Sequence, residues 1–348
     1  MFYIHQTSCI SPQQTFTEIN LETIHDQADQ RLLAIEPKYD GIPPGVLRRM
    51  GKAVRMGVGA AMQVLQNSIA PDGIIMATAN GGKEDCVKFL NQIVEYDEGL
   101  LTPINFVQST PNAVAAQIGL LTGNHGYNIT HLHLGLSFEF AVMDAEMTLA
   151  ENPANSYLLG AVDDISVYNY IFDDKADLYK KESVSTKLLY ESNSPGCIAG
   201  EAAAMFLISG NKTGSLAKLV GVDTLHHDDP IVVTEKLQSF IAQYLPADEV
   251  IDLLLSGENG DNRLLHFYSD CESVLGENVT VARFKHMSGD YPTATAMGLW
   301  LCCHILQNQN IPAHMLKRKA AGSSFKNILI YNNYKGMQHS FMLVSITS

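Results

Sequence analysis

Residues 110–145 read TPNAVAAQIGLLTGNHGYNITHLHLGLSFEFAVMDA, and the order of residue types in this stretch decides the architecture. The apolar run Ala113 to Leu121 predicts a helix, Gly123 to Gly126 a turn, and the β-prone run Tyr127 to Leu134 a strand. After Gly135 a second apolar helix begins at Leu136. Strand, glycine and helix without a break make an elbow. At such a turn the helix N-terminus offers N–H groups without intrahelical partners and a positive potential, which suits a nucleophile or an oxyanion.

Around that stretch lie 348 residues, more than the roughly 250–300 at which a single core stops growing. Two fused or duplicated halves are therefore expected, 1–209 and 210–348. A hydrophobic content of 46% against 17% charged residues supplies a large buried core. No apolar run reaches the roughly 18 residues of a membrane span, and MFYIHQTSCI has no basic segment ahead of an apolar one, so a cytoplasmic chain without a signal peptide is expected. The formal charge of −14 argues against nucleic acid as a partner, since phosphate binding is built from lysine and arginine. Six cysteines, scattered mostly in apolar runs, read as reduced core residues.

Leu47, Met50, Val54, Val58, Ala61 and Leu65 recur at steps of three and four and predict an amphipathic helix. The turn Pro71 to Gly73 leads to a strand at Ile74 to Thr78, and the glycines Gly81 and Gly82 open the next helix. That pair lacks dinucleotide or P-loop spacing, so no cofactor is expected. Asp163 and Asp164 end the strand Tyr157 to Val162 and read as turn caps rather than acid–base groups. His226, His227, Asp228 and Asp229, with His131 and His133, are capable metal ligands, but their spacing matches no metal motif and no metal is expected. The basic clusters Arg48, Arg49, Lys52, Arg55 and Lys317, Arg318, Lys319 read as solvated charges. Period-two geometry puts His131 and His133 on one face of a strand, and Ser137 is the only hydroxyl in the first turn of the elbow helix. A serine nucleophile with either histidine as base is one reading of these three.

The elbow resembles that of the β-ketoacyl-acyl carrier protein synthases, members of the thiolase superfamily, in which a reactive cysteine sits between strand and buried helix. Setting Ser137, Ala141 and Ala145 on the small residues of that helix places Gly135 at the cysteine's position, or Leu134 with a register slip of one. No cysteine lies between Cys86 and Cys197. Other pieces of the family pattern follow in order: Leu47-Arg48-Arg49-Met50, Ile75 to Gly82, Pro103 to Phe106, and Asn112-Ala113. Gly196, Gly200, Glu201, Ala202 and Ala203 keep the Gly-x-x-x-Gly-Glu-small-small segment, with Cys197 where active synthases commonly carry a gating phenylalanine. The family's two histidines are replaced. Gly257-Glu258-Asn259-Gly260-Asp261 follows the strand Val250 to Leu255, where a His-Gly-Thr turn belongs, and Gly289-Asp290 stands for Gly-His, five residues after the matching lysine, Lys285. Gly336, Met337 and Gln338 occupy the glycine-rich turn of the closing hairpin.

The resemblance implies the thiolase-like α/β fold, αβαβα in layers, made of two similar halves around two buried helices, 136–150 and 293–306. It implies dimers, with the elbow strand near the two-fold axis. It also implies chemistry lost: decarboxylative condensation needs a thiolate to hold the acyl chain and imidazole donors to stabilise the enolate. Degenerate positions Gly135, Asn259 and Asp290 supply neither, and Lys285 alone holds a turn. The leading expectation is a non-catalytic subunit similar to the chain-length factors of type II fatty acid, polyketide or aryl-polyene systems. It would pair with an active ketosynthase, shape the acyl tunnel and meet acyl carrier protein through that partner; a homodimer is the other assembly. The alternative is an acyl-transferring or condensing enzyme using Ser137 with His133 or His131, and a third class is a free-standing acyl-chain binder.

Overall fold

The computed structural model describes residues 1–347 apart from 28, 29, 67, 69 and 323. Among these residues eleven strands form one sheet: β1 (Phe2–Ile10), β2 (Gly73–Ala77), β3 (Tyr127–His131), β4 (Ser156–Asp163), β5 (Ala202–Ser209), β6 (Ala217–His226), β7 (Leu253–Ser256), β8 (Thr280–Arg283), β9 (Leu316–Arg318), β10 (Asn327–Tyr334) and β11 (Gln338–Ser345). The order across the sheet is β9-β8-β7-β10-β11-β6-β1-β5-β4-β2-β3. Outward from the β1–β6 contact, one side adds β5, β4, β2, β3 and the other β11, β10, β7, β8. Each side pairs antiparallel twice and then parallel twice. The chain has thus made the same unit twice, in the same strand order.

Nine of its helices place the layers: α1 (Lys52–Leu65), α2 (Lys83–Glu95), α3 (Pro103–Gln108), α4 (Ala113–Thr122), α5 (Ser137–Glu151), α6 (Val167–Lys175), α7 (Pro230–Tyr244), α8 (Leu265–Leu275) and α9 (Thr295–Asn308). One apolar cluster joins α1 and α4 to the outer face of the first half, and another joins α7 and α8 to the outer face of the second. The largest cluster lies between the halves, on α5 and α9. The fold is therefore thiolase-like, αβαβα. Strand residues alternate between these clusters: Ile75 packs inward and Ile74 outward, as a two-residue period requires. The two middle helices have little to offer solvent, and side chains such as Phe138, Leu299 and Trp300 are fully buried. Each such burial contributes about 1.5–3 kcal/mol.

Element boundaries move where turns intervene. The elbow strand stops at His131 rather than Leu134, because Leu134 adopts φ 51° and opens a 3₁₀ turn, Leu134–Leu136, ahead of α5. The second buried helix starts at Thr295 rather than 293, with the Thr293 hydroxyl donating to Asp163 at 2.8 Å instead. The turn of the closing hairpin is tighter than expected: Gln338 belongs to β11 rather than to the turn, and pairs with Tyr334 at the end of β10. No helix among the described residues is long and apolar enough to cross a membrane.

Candidate functional site

Four parallel-paired strands, β2, β4, β7 and β10, end at the same edge of the molecule, where the first turns of α5 and α9 also lie. In α/β sheets the crevice beyond the carboxyl ends of strands is the usual ligand site. Here it holds a cavity of about 40 Å³, lined among others by Asn80, Asp164, Cys197, Asn259, Asp290 and Tyr334. A water needs roughly 10–15 Å³ of such space. The cavity takes a few waters.

Asn259 and Asp290, distant in sequence, meet in this cavity. The Asn259 side-chain amide donates to Asp290 Oδ2 at 2.8 Å, and its own Oδ1 accepts from the Asp261 N–H at 3.1 Å. The other Asp290 oxygen is ion-paired with the Lys285 ammonium, whose side chain is 1% exposed. The Asp290 backbone is fixed as well, donating to Ile198 O and accepting from Gly200 N–H. Gly200 and Gly289 are glycines for a reason of space: a Cβ on Gly200 would stand 2.0 Å from Ser288 O, and one on Gly289 would stand 2.5 Å from Gly200 Cα. The Gly-x-x-x-Gly-Glu segment thus serves packing, and Glu201 accepts from the Ala34 and Ile165 N–H groups while pairing with Lys52.

At the elbow, Gly135 is buried and its N–H donates to the Gln338 side chain at 2.8 Å. The donor that an oxyanion would use is occupied. Ser137 is fully buried, and its hydroxyl is engaged twice, accepting from the His133 N–H at 2.7 Å and donating to Leu134 O at 2.8 Å. Neither imidazole is among its partners. His133 is exposed and lies edge-on to Phe140, with ring centroids 4.8 Å apart, while His131 Nε2 contacts Asp144 Oδ2 at 3.0 Å beside the Tyr127 hydroxyl. Phe140 and Asp144 are one turn apart on α5, so both histidines rest on the same side of that helix, and neither lines the cavity. Leu134, at the alternative register, is 59% exposed.

Cys197 is the thiol nearest the network. Burial, then the negative charge of Asp290, holds it well above the ordinary thiol range, and its Sγ lies 3.3 Å from Leu178 O. Burial likewise pushes Cys9, Cys271 and Cys303 up to about 12. Asp163 accepts from the Thr78 and Thr293 hydroxyls and from the Ala79 and Asn80 N–H groups at 2.7–3.0 Å, the work of a turn anchor. The His226 to Asp229 string caps α7: Asp229 accepts from the Ile231 N–H at 2.9 Å, and His227 Nδ1 accepts from the Asp229 N–H at 3.0 Å. Much of the charge of the basic clusters is paired locally, Arg55 with Glu36 and Lys317 with Glu258 and Glu272.

Sequence reasoning missed three groups here. Asp164, read with Asp163 as a cap, lines the cavity and is pushed up to about 7 by burial first and by repulsion from Glu201 and Asp163 next. Glu139, in the first turn of α5, is fully buried with neither carboxyl oxygen hydrogen-bonded, and burial raises its pKa despite the nearby Thr295 and Ser340 hydroxyls. A glutamate in an otherwise apolar run was the signal. Tyr334 is the third, with nothing in the local pattern to mark it.

Residues 24–213 match the family model described as beta-ketoacyl synthase, N-terminal domain. A comparison with curated proteins finds no match. Among solved structures, a β-ketoacyl synthase from Burkholderia phymatum STM815 is similar over 100% of this chain and 99% of its own, at TM-score 0.78 and 13% identity. The ishigamide ketosynthase/chain length factor is similar over 100% and 99%, at TM-score 0.76 and 11% identity. A ketosynthase (ApeO) in complex with its chain length factor (ApeC) from Xenorhabdus doucetiae is similar over 99% and 98%, at TM-score 0.76 and 13% identity. At such identities the likeness is one of fold. The family match spans more than half of the sequence and contains the elbow, and on it the chain belongs to the β-ketoacyl synthase family of the thiolase superfamily.

Proposed function

We propose that this protein is a non-catalytic ketosynthase-like subunit of a type II fatty acid, polyketide or aryl-polyene system. It pairs with an active ketosynthase and shapes the tunnel for the growing acyl chain. One observation carries the reading: where decarboxylative condensation needs two imidazole donors, the cavity holds an Asn259–Asp290–Lys285 network, and the elbow position is Gly135. A carboxylate facing a developing enolate repels it, and loss of a single oxyanion donor typically costs about 10²–10³ in rate. Each half, 1–209 and 210–348, keeps its buried helix while losing its chemistry.

Support for a partner comes from the sheet edge. Strand β3 is the last strand on its side, and Tyr127, Leu132 and Leu134, on or just beyond it, are 42%, 53% and 59% exposed. Free edges with exposed apolar residues invite pairing. Of the proteins of like fold, one is described as a ketosynthase/chain length factor, one as a ketosynthase in complex with its chain length factor, and another as a type II polyketide acyl-carrier protein in complex with its ketosynthase. The partner supplies the cysteine and the main docking surface for carrier protein. The alternative, a condensing enzyme using Ser137, has against it a buried hydroxyl whose two bonds go to backbone.

The test is co-expression with a ketosynthase encoded beside it, followed by light scattering on the purified material. A one-to-one complex is expected. Two separate homodimers at equal concentrations would overturn the pairing.

A further inference from the structure

The hairpin β10–β11 turns at the elbow. Lys335 and Gly336 adopt φ 57° and 70°, which brings Tyr334 and Gln338 directly opposite one another, with side chains on the same face of the ribbon. Both reach Gly135. Gln338 Oε1 accepts the Gly135 N–H at 2.8 Å. Tyr334, 8% exposed, stands so close that a Cβ on Gly135 would lie 2.3 Å from Tyr334 Cβ and Cγ and 2.6 Å from Cδ1. The turn is also tied down, since the Lys335 ammonium pairs with Asp173 on α6 at 3.0 Å and lies 4.9 Å from the centre of the Tyr334 ring.

We propose that this hairpin is a built-in stopper. Tyr334 fills the space beside the elbow and Gln338 takes its N–H donor, so this chain's own pocket admits no acyl thioester and the growing chain is confined to the partner's side. The inference rests on the reading of the chain as a non-catalytic subunit. It also says why glycine is required at 135 whatever the chemistry: no side chain fits there while Tyr334 is present. Because the clash begins at Tyr334 Cβ, alanine at 334 frees the ring's volume but leaves no room for a side chain at 135. Glycine at 334 leaves room.

Two arms test this on the isolated full-length chain. In a Cys86→Ser background, which removes the one cysteine that is not buried, Gly135→Cys and Gly135→Cys/Tyr334→Gly are treated with iodoacetamide and weighed intact. The double variant should be alkylated stoichiometrically at position 135. The single variant should either stay unmodified or fail to fold. In the second arm Gly135 is kept, and wild type and Tyr334→Ala are titrated with the hexanoyl thioester of N-acetylcysteamine by saturation-transfer NMR. Binding should be absent in wild type and gained in Tyr334→Ala. A folded Gly135→Cys alkylated as fast as the double variant, thioester binding by wild type, or a Tyr334→Ala chain as closed as wild type each overturns the stopper. None of these outcomes touches pairing with a ketosynthase, which is measured separately, so either idea can fail alone.

Discussion

The Asn259 amide holds Asp290 Oδ2 at 2.8 Å while Lys285 pairs with the other oxygen of the same carboxylate. A buried charge pair resists loss of one partner more than loss of both. Removing a single member typically costs about 3–5 kcal/mol, whereas well-packed apolar replacement of both is often neutral. Asp290→Ala, which strands the Lys285 ammonium, should therefore lower the urea midpoint far more than Lys285→Met/Asp290→Leu. Equal losses for the two would mean that the network carries packing rather than charge.

Asp164 and Glu139 make a contribution to stability that falls as pH rises, opposite in sign to that of the buried histidines His286, His304 and His339, whose pKa values burial lowers. Asp164 has its pKa moved from 3.8 to about 7 by burial, then by Glu201 and Asp163, and Glu139 is moved the same way by burial. Both groups have folded pKa values above their unfolded ones, so between these values the fold holds protons that the unfolded chain has released. Their neutral forms favour the fold at low pH, and that contribution is lost as pH climbs from about 4 towards 7. At about 1.4 kcal/mol per unit, Asp164 alone accounts for about 4 kcal/mol. Asp164→Asn with Glu139→Gln should remove this falling contribution, so that the variant gains stability relative to wild type as pH climbs from about 4 towards about 7; a difference that does not change with pH would place the titration elsewhere.

Leu134 holds a left-handed backbone, φ 51°, with its side chain 59% exposed. Such a conformation costs a non-glycine residue about 1–2 kcal/mol, and glycine gives back about 0.5–1 kcal/mol through its freer unfolded chain. Leu134→Gly should thus stabilise the isolated chain slightly and weaken its binding to a ketosynthase. Urea titration and light scattering read the two effects independently.

Leu132, just past the free edge strand, is 53% exposed and should matter only in the complex. Leu132→Glu is expected to change the stability of the isolated chain by no more than about 0.5 kcal/mol, as surface substitutions do. Pairing should be lost. A complex that forms as before would put the interface on another face.

The elbow, both buried helices and the layered fold were legible because apolar runs, small-residue spacing and glycine turns are local signals. Long-range consequences were not. That Asn259 reaches Asp290, that Gly135 faces Tyr334 and that Gln338 caps the elbow N–H depend on β7, β10 and β11 converging with α5, and no window of sequence contains that geometry. His131 and His133 look like strand neighbours facing one way. In fact the strand ends between them, and His133 at φ −152°, ψ 49° belongs to the turn. Asp164 looks like a cap in its local window; the burial that raises its pKa, and the charge of Glu201 that adds to it, exist only in the assembled fold.

The central claim, scaffold kept and chemistry lost, is tested most directly by intact mass. The purified chain is incubated with acyl- and malonyl-loaded carrier protein, alone and with any co-encoded ketosynthase, while carbon dioxide release is followed. The account predicts no adduct and no carbon dioxide from the chain alone, with turnover only in the one-to-one complex. A covalent acyl adduct on this chain, or carbon dioxide released without a partner, would contradict it.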